Sequence, residues 1–169
     1  SGEAGVGKTR LVEEFLLGVD QAQVDVVWGR CWEGEGAPAF WPWIQCFRAL
    51  AEGTGRDRLV ALAGGSLVHL AQILPEIARA GDDLVLEPDE SRFRALAAAS
   101  ELLAALSTQR PLVVVLDDLH WADLPSVMLL RFVVQQVTRA RLLILSTVRD
   151  VELEAESPLA RELATIGRQ

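Results

Sequence analysis

Lysine is almost missing from this sequence: 15 of its 16 basic residues are arginine, and Lys8 stands alone. A guanine-specifying Asn/Thr-Lys-x-Asp motif needs a lysine of its own, so a GTPase is disfavoured. Long apolar runs are missing too. None approaches the roughly 18 residues of a membrane span, and no signal-like leader opens the chain, so the expected setting is cytoplasmic with no membrane partner. Cysteine is scarce. Cys31 and Cys46 form neither a C-x-x-C pair nor a cluster with His69 and His120, which predicts two half-buried free thiols, no disulfide and no zinc. Basic charge is also short, and the formal net charge of −8 argues against direct nucleic-acid contact by this segment. Half of the 169 residues are apolar, enough to bury one core.

The lone lysine sits in Gly-Glu-Ala-Gly-Val-Gly-Lys-Thr, residues 2 to 9, which fits the phosphate-loop spacing of two glycines five apart followed by Lys and a hydroxyl. Gly2, Gly5 and Gly7 are expected to take positive φ and turn successive N–H groups inward as an anion cradle. A helix starting near Lys8 adds its positive end, about half an elementary charge. Gly2, Glu3, Ala4, Gly5, Val6, Gly7, Lys8 and Thr9 are thus the candidate nucleotide-binding residues, with Lys8 reaching the β- and γ-phosphates and the Thr9 hydroxyl placed for Mg²⁺. A compact ammonium fits a backbone cradle where a planar guanidinium is too wide, a reason for a lysine here in an arginine-dominated chain.

Leu11, Val12, Phe15 and Leu16 recur at helical spacing from Lys8 to about Leu17, with Gly18 as the stop. Val24 to Arg30 reads as a strand. Trp32, Phe40, Trp41 and Trp43 lie in the Gly- and Pro-containing stretch that follows, where two readings stay open: packing a loop onto the core, or stacking a nucleobase. Pro42 suits the first turn of a helix to about Ala51. Glu52 to Asp83 reads as short helices broken by Gly53, Gly55, Gly64, Gly65, Pro75 and Gly81. A long helix follows a start at Pro88 to Ser91, with Phe93, Leu96, Leu103 and Leu106 as its apolar stripe on a sheet.

Leu112 to Leu116 is a continuous apolar run rich in valine, the pattern of a strand buried on both faces, and it ends in Asp117 and Asp118. Carboxylates at the C-terminal end of a buried parallel strand lie where open α/β sheets hold ligands. Asp117 is the candidate Mg²⁺ ligand opposite Thr9, and Asp118 the candidate residue for orienting an attacking water; an Asp capping a turn is the alternative. Asp123 before Pro125 and Ser126 signals a helix to about Thr138. Leu142 to Leu145 repeats the buried-strand pattern and leads to Arg149, either a γ-phosphate sensor or a partner of Asp150 or Glu152. Ser157 and Pro158 open a last helix.

The sequences at 2 to 11, Gly-Arg-Cys at 29 to 31, Leu-Asp-Asp-Leu-His-Trp-Ala-Asp at 116 to 123 and Thr-Val-Arg-Asp at 147 to 150 together resemble the AAA-type, origin-recognition-complex-like ATPase domain of STAND signalling proteins. That domain occurs in large LuxR-type transcriptional regulators and beside adenylate cyclases. The resemblance implies a P-loop NTPase fold, an α/β parallel sheet flanked by helices, and an ATP/ADP switch with Mg²⁺ that governs self-association and an attached effector. It implies Lys8 and Thr9 as phosphate and Mg²⁺ ligands, Asp117 as the Walker B residue, Asp118 as the water-positioning acid and Arg149 as the sensor. Measured against it, residues 1 to 169 form a partial domain, with the strand before Ser1 and a winged-helix part after Gln169 expected beyond it. A motor ATPase and a non-hydrolysing nucleotide-binding scaffold remain the other readings. The expected sheet has three parallel strands with the Asp117 strand in the middle, and a phosphate loop whose start is tied to nothing.

Overall fold

The structure, a computed structural model, describes residues 2–3, 5–77, 88–137, 139–149 and 158–166. Ala4, Gly81, Asp83, Thr138, Asp150, Glu152 and Ser157, which the sequence reading used, lie outside the described residues. Three strands form a parallel sheet in the order β1 (Asp25–Arg30), β2 (Leu112–Asp117), β3 (Leu142–Ser146). The expected order is borne out. Helices separate the strands in sequence, as parallel pairing requires. They are α1 (Lys8–Leu17), α2 (Trp41–Thr54), α3 (Arg56–Ala63), the single turn α4 (Leu67–Leu70), α5 (Pro88–Gln109), α6 (Leu124–Gln136) and α7 (Pro158–Ile166). Among the described residues no helix is long and apolar enough to cross a membrane.

The central strand β2 is buried along its whole length, which is why it reads as an unbroken apolar run rather than an alternation. Its side chains divide between two faces. Leu112, Val114 and Leu116 join a large core with Trp43, Phe47, Leu102, Leu103 and Leu129, supplied by α2, α5 and α6. Val113 and Val115 join a small one with Leu16, Val12, Val26, Trp28 and Leu145, which α1 covers. In α5, Ala95, Ala98 and Ala99 are buried beside Leu96 and Leu102, so the alanines let this helix approach its neighbours closely. Phe93 is an exception to the expected stripe. It is exposed, and its ring meets Phe132 of α6 edge-on at 5.3 Å.

Three further expectations are corrected. The spacing sets Leu11 and Phe15 on one apolar face of α1 with Val12 and Leu16, but both are exposed and Leu16 is the one buried residue of the helix; the face α1 offers the sheet is narrower than the periodicity suggests. Gly53 does not break a helix. It sits inside α2, and Gly55 separates α2 from α3. The start of the phosphate loop is tied down after all: Gly2 N–H donates to Val148 O at 3.3 Å, and Gly2 pairs with Arg149 in an isolated parallel bridge just beyond β3.

Helix α2 is fixed against β1 by a close approach that only glycine permits. A Cβ built on Gly29 would lie 2.0 Å from Pro42 O and 2.7 Å from its carbonyl carbon, a clash with backbone that a side-chain rotation cannot relieve. At the same end of α2, Trp43 is wholly buried and donates its indole N–H to Ser126 O at 2.9 Å, joining α2 to α6. Gly29→Ala is therefore expected to cost about 3 kcal/mol or to prevent folding. Gly53→Ala, where a Cβ meets open space, should be neutral or add up to about 1 kcal/mol. Urea unfolding of both variants checks the contrast; equal midpoints would remove the argument from close approach.

Candidate functional site

The site forms where the three strands end, and the two-residue period of a strand explains which side chains meet there. Arg30 follows Val26 and Trp28 on the face that α1 covers, and Asp117 follows Val113 and Val115 on that same face. Arg30 and Asp117 are register partners across β1 and β2. Leu116 pairs with Ser146, so the residue just after the third strand, Thr147, falls beside Asp117. The first turn of α1 brings Thr9 over the row.

The resulting hydrogen bonds converge on one carboxylate. Asp117 is 1% exposed. Its Oδ1 accepts from Thr9 Oγ1 at 3.0 Å and from Thr147 Oγ1 at 2.6 Å, and its Oδ2 accepts from Arg30 Nε at 3.2 Å and Nη2 at 3.1 Å. Thr147 Oγ1 also accepts from the Asp118 N–H at 2.9 Å. Asp118 is left-handed, φ 57°, ψ 45°, a conformation an Asp tolerates better than most residues. Its carboxylate is half-buried, and Oδ1 lies 4.0 Å from Arg149 Nε.

The loop before α1 has the predicted character with one exception. Gly5 and Gly7 have φ of 74° and 89°, the left-handed region that glycine enters without penalty. Gly2 does not join them, because it is extended in the bridge with Arg149. Glu3 and Val6 are exposed. Lys8 donates from Nζ to Gly2 O and Glu3 O, both at 2.7 Å. An ammonium has three donors, and these two bonds use two of them.

A family model described as an AAA ATPase domain matches residues 1–145. The chain belongs to that family. No curated protein and no solved structure gives a match. An AAA ATPase domain is a nucleotide-binding module, and the donors in this one suit a hard divalent cation: a threonine hydroxyl and a carboxylate within hydrogen-bond reach beside the glycine-containing loop before α1. Clusters of three or more His, Cys, Asp or Glu able to hold a metal are absent among the described residues, so a cation at Asp117 would draw on hydroxyl, phosphate and water oxygens for the rest of its shell.

Arg30 and Thr147 are the residues the sequence reading missed as parts of the site. The signal was present as parity: each stands an even number of residues beyond the α1-facing apolar positions of its own strand. In the aromatic segment the packing reading holds for two of the four side chains. Phe40 and Trp43 are buried in the core, whereas Trp32 is exposed and, with Trp41 and Trp121, lines a cavity of about 200 Å³ next to Cys31 and Asp123.

Cys31 and Cys46 are free and fully buried rather than half-buried. Burial pushes both thiols from 9.0 up to about 12; for Cys31 the Asp123, Asp118 and Asp117 charges add to that, and for Cys46 the neighbouring Cys31 does. Both thiols should label slowly with iodoacetamide at pH 8 in the folded protein and rapidly in urea. Stability has a matching sign. The folded state keeps these protons while the unfolded chain releases them above about pH 9, so the thiols contribute fully below that pH and their contribution is lost as pH rises toward 12. Thiol labelling as fast folded as unfolded would contradict this.

Thr147→Val leaves a buried carboxylate oxygen and the Asp118 N–H each short of a partner. We expect a loss of about 1–3 kcal/mol by chemical denaturation, with Thr147→Ser within about 1 kcal/mol of the parent. A larger loss in Thr147→Ser than in Thr147→Val would mean that the methyl group, not the hydroxyl, matters.

Proposed function

We propose that this AAA domain is an ATP/ADP switch that binds Mg²⁺·ATP, hydrolyses it slowly, and through that cycle governs self-association and an attached effector. The observation that carries the reading is the approach of Thr9 to Asp117, a hydroxyl on the phosphate-binding helix within 3.0 Å of the carboxylate ending the central strand. The two halves of a nucleotide site are 108 residues apart in sequence. In this reading residues 2 to 9 bind the nucleotide, with backbone N–H groups of the loop and the Lys8 ammonium holding phosphate oxygens. Thr9 and Asp117 hold the cation, which neutralises charge on the β- and γ-phosphates.

Asp118 is the residue we assign to orienting the attacking water, and Arg149, 4.0 Å from it, the residue that senses the γ-phosphate. An Asp carboxylate reaches about 1.5 Å less far than a Glu, which weakens the hold on that water and supports slow turnover. The switch role, rather than a motor, is supported by the resemblance to STAND ATPase domains at residues 2 to 11, 29 to 31, 116 to 123 and 147 to 150.

Lys8→Ala should abolish ATP binding by the full chain, and Asp117→Asn should weaken it in Mg²⁺ but not in EDTA. Asp118→Asn should leave binding nearly intact and slow turnover about 10- to 100-fold. Calorimetry and a phosphate-release assay separate the outcomes. Unchanged ATP affinity in Lys8→Ala would refute the phosphate loop. Wild-type turnover no faster than that of Asp118→Asn would point to the non-hydrolysing scaffold.

A further inference from the structure

The basic side chain that reaches Asp117 comes from β1, and neither the phosphate loop nor the Asp-Asp motif supplies it. Arg30 places two N–H groups on Oδ2, while Thr9 and Thr147 occupy Oδ1. A carboxylate this deeply buried needs a cation beside it, because an uncompensated buried charge is strongly destabilising. Lys8 is turned to the carbonyls of Gly2 and Glu3, and Arg149 lies toward Asp118. Arg30 itself is tethered at one end only. Its side chain is 64% exposed against 1% for Asp117, so the guanidinium can leave for solvent without breaking the core.

We infer that Arg30 is a positioning residue for the metal half of the site: it occupies the carboxylate when Mg²⁺ is absent and gives it up when Mg²⁺·nucleotide enters. Arg30 and Mg²⁺ carry the same sign of charge and draw on the same carboxylate, so they compete. Without the metal, Arg30 keeps Asp117 neutralised and correctly turned, and it lessens repulsion between that carboxylate and a bound polyphosphate. With the metal, Arg30 is displaced toward solvent at the open end of β1. The inference rests on reading residues 2 to 9 as the nucleotide loop.

The test is Mg²⁺ titration of fluorescent ADP binding to the full chain, with parallel affinities in EDTA, for wild type, Arg30→Gln and Arg30→Lys. Arg30→Gln should lower the half-saturating Mg²⁺ concentration about tenfold, and Arg30→Lys, which keeps a charge but loses the two-pronged grip, about threefold. In EDTA, Arg30→Gln should bind ADP more weakly than wild type. Thermal unfolding with Mg²⁺ and no nucleotide gives a second readout: Mg²⁺ should raise the melting temperature of either variant more than that of wild type. If Arg30→Gln does not fold, Arg30→Lys alone decides. An unchanged or higher Mg²⁺ requirement in the folded variants, with wild type binding ADP normally, would overturn the role of Arg30 only. Failure of wild type to bind ADP in Mg²⁺ would overturn the nucleotide loop and this inference with it.

Discussion

Asp117 is a negative charge held at 1% exposure, and most of the molecule can be understood as what makes that tolerable. Burying an unpaired carboxylate costs several kcal/mol, comparable to the total stability of many domains of this size. The charge, carried by β2, is therefore met from three separate segments: Arg30 at the end of β1, Thr9 in the first turn of α1 and Thr147 just past β3. Each of those side chains is delivered by an element whose other residues form the core. Move any one strand by a single residue and the parity of its side chains inverts, so the carboxylate loses a partner as the core loses an apolar side chain. Folding and site assembly are thus one event at the strand ends.

Much of this was legible in the chain because strand periodicity is simple. The all-apolar Leu112 to Leu116 announced a strand buried on both faces, and the two acids after it could only lie at its C-terminal end. The start of α1 at Lys8, the Asp123 cap of α6 and Pro42 in the first turn of α2 follow from local chemistry, and the structure has all three. What local pattern could not supply was the partner. Strand parity sets Arg30 on the α1-facing row, but its partner comes only from register with Asp117, 87 residues away. Leu11 and Phe15 failed for a related reason. Helical spacing shows that a face is apolar but not how much sheet lies beneath it, and the sheet reaches only Leu16 and Val12.

A second carboxylate organises the opposite face of the strand ends. Asp123 accepts from the Ser126 N–H and Oγ at the start of α6 and from the Phe40 N–H at the start of α2, where Phe40 is itself left-handed at φ 64°. One acid therefore fixes the first turns of two helices that the sequence separates by more than 80 residues. The Gly29 contact with Pro42 and the Trp43 bond to Ser126 O lie in the same small region. The aromatic segment before α2 is anchored at its inner end by these contacts, while Trp32 remains outside on the cavity wall.

The adjacent acids at the end of β2 show how one residue step can divide two kinds of chemistry. Asp117 is still in the strand, so its side chain follows the pleat into the α1-facing row and is saturated by donors. Asp118 has left it. The left-handed turn rotates its carboxylate out of the row, to half-burial and a 4.0 Å approach by Arg149, while its N–H stays tied to Thr147 Oγ1. A single hydroxyl thus sets the orientation of one acid and the backbone of the other. In the proposed reading this coupling matters: any event that takes Asp117 from its donors loosens Thr147, and through it the turn that aims Asp118. A change at the metal side is then transmitted to the water side over one threonine, with no movement of the strands required.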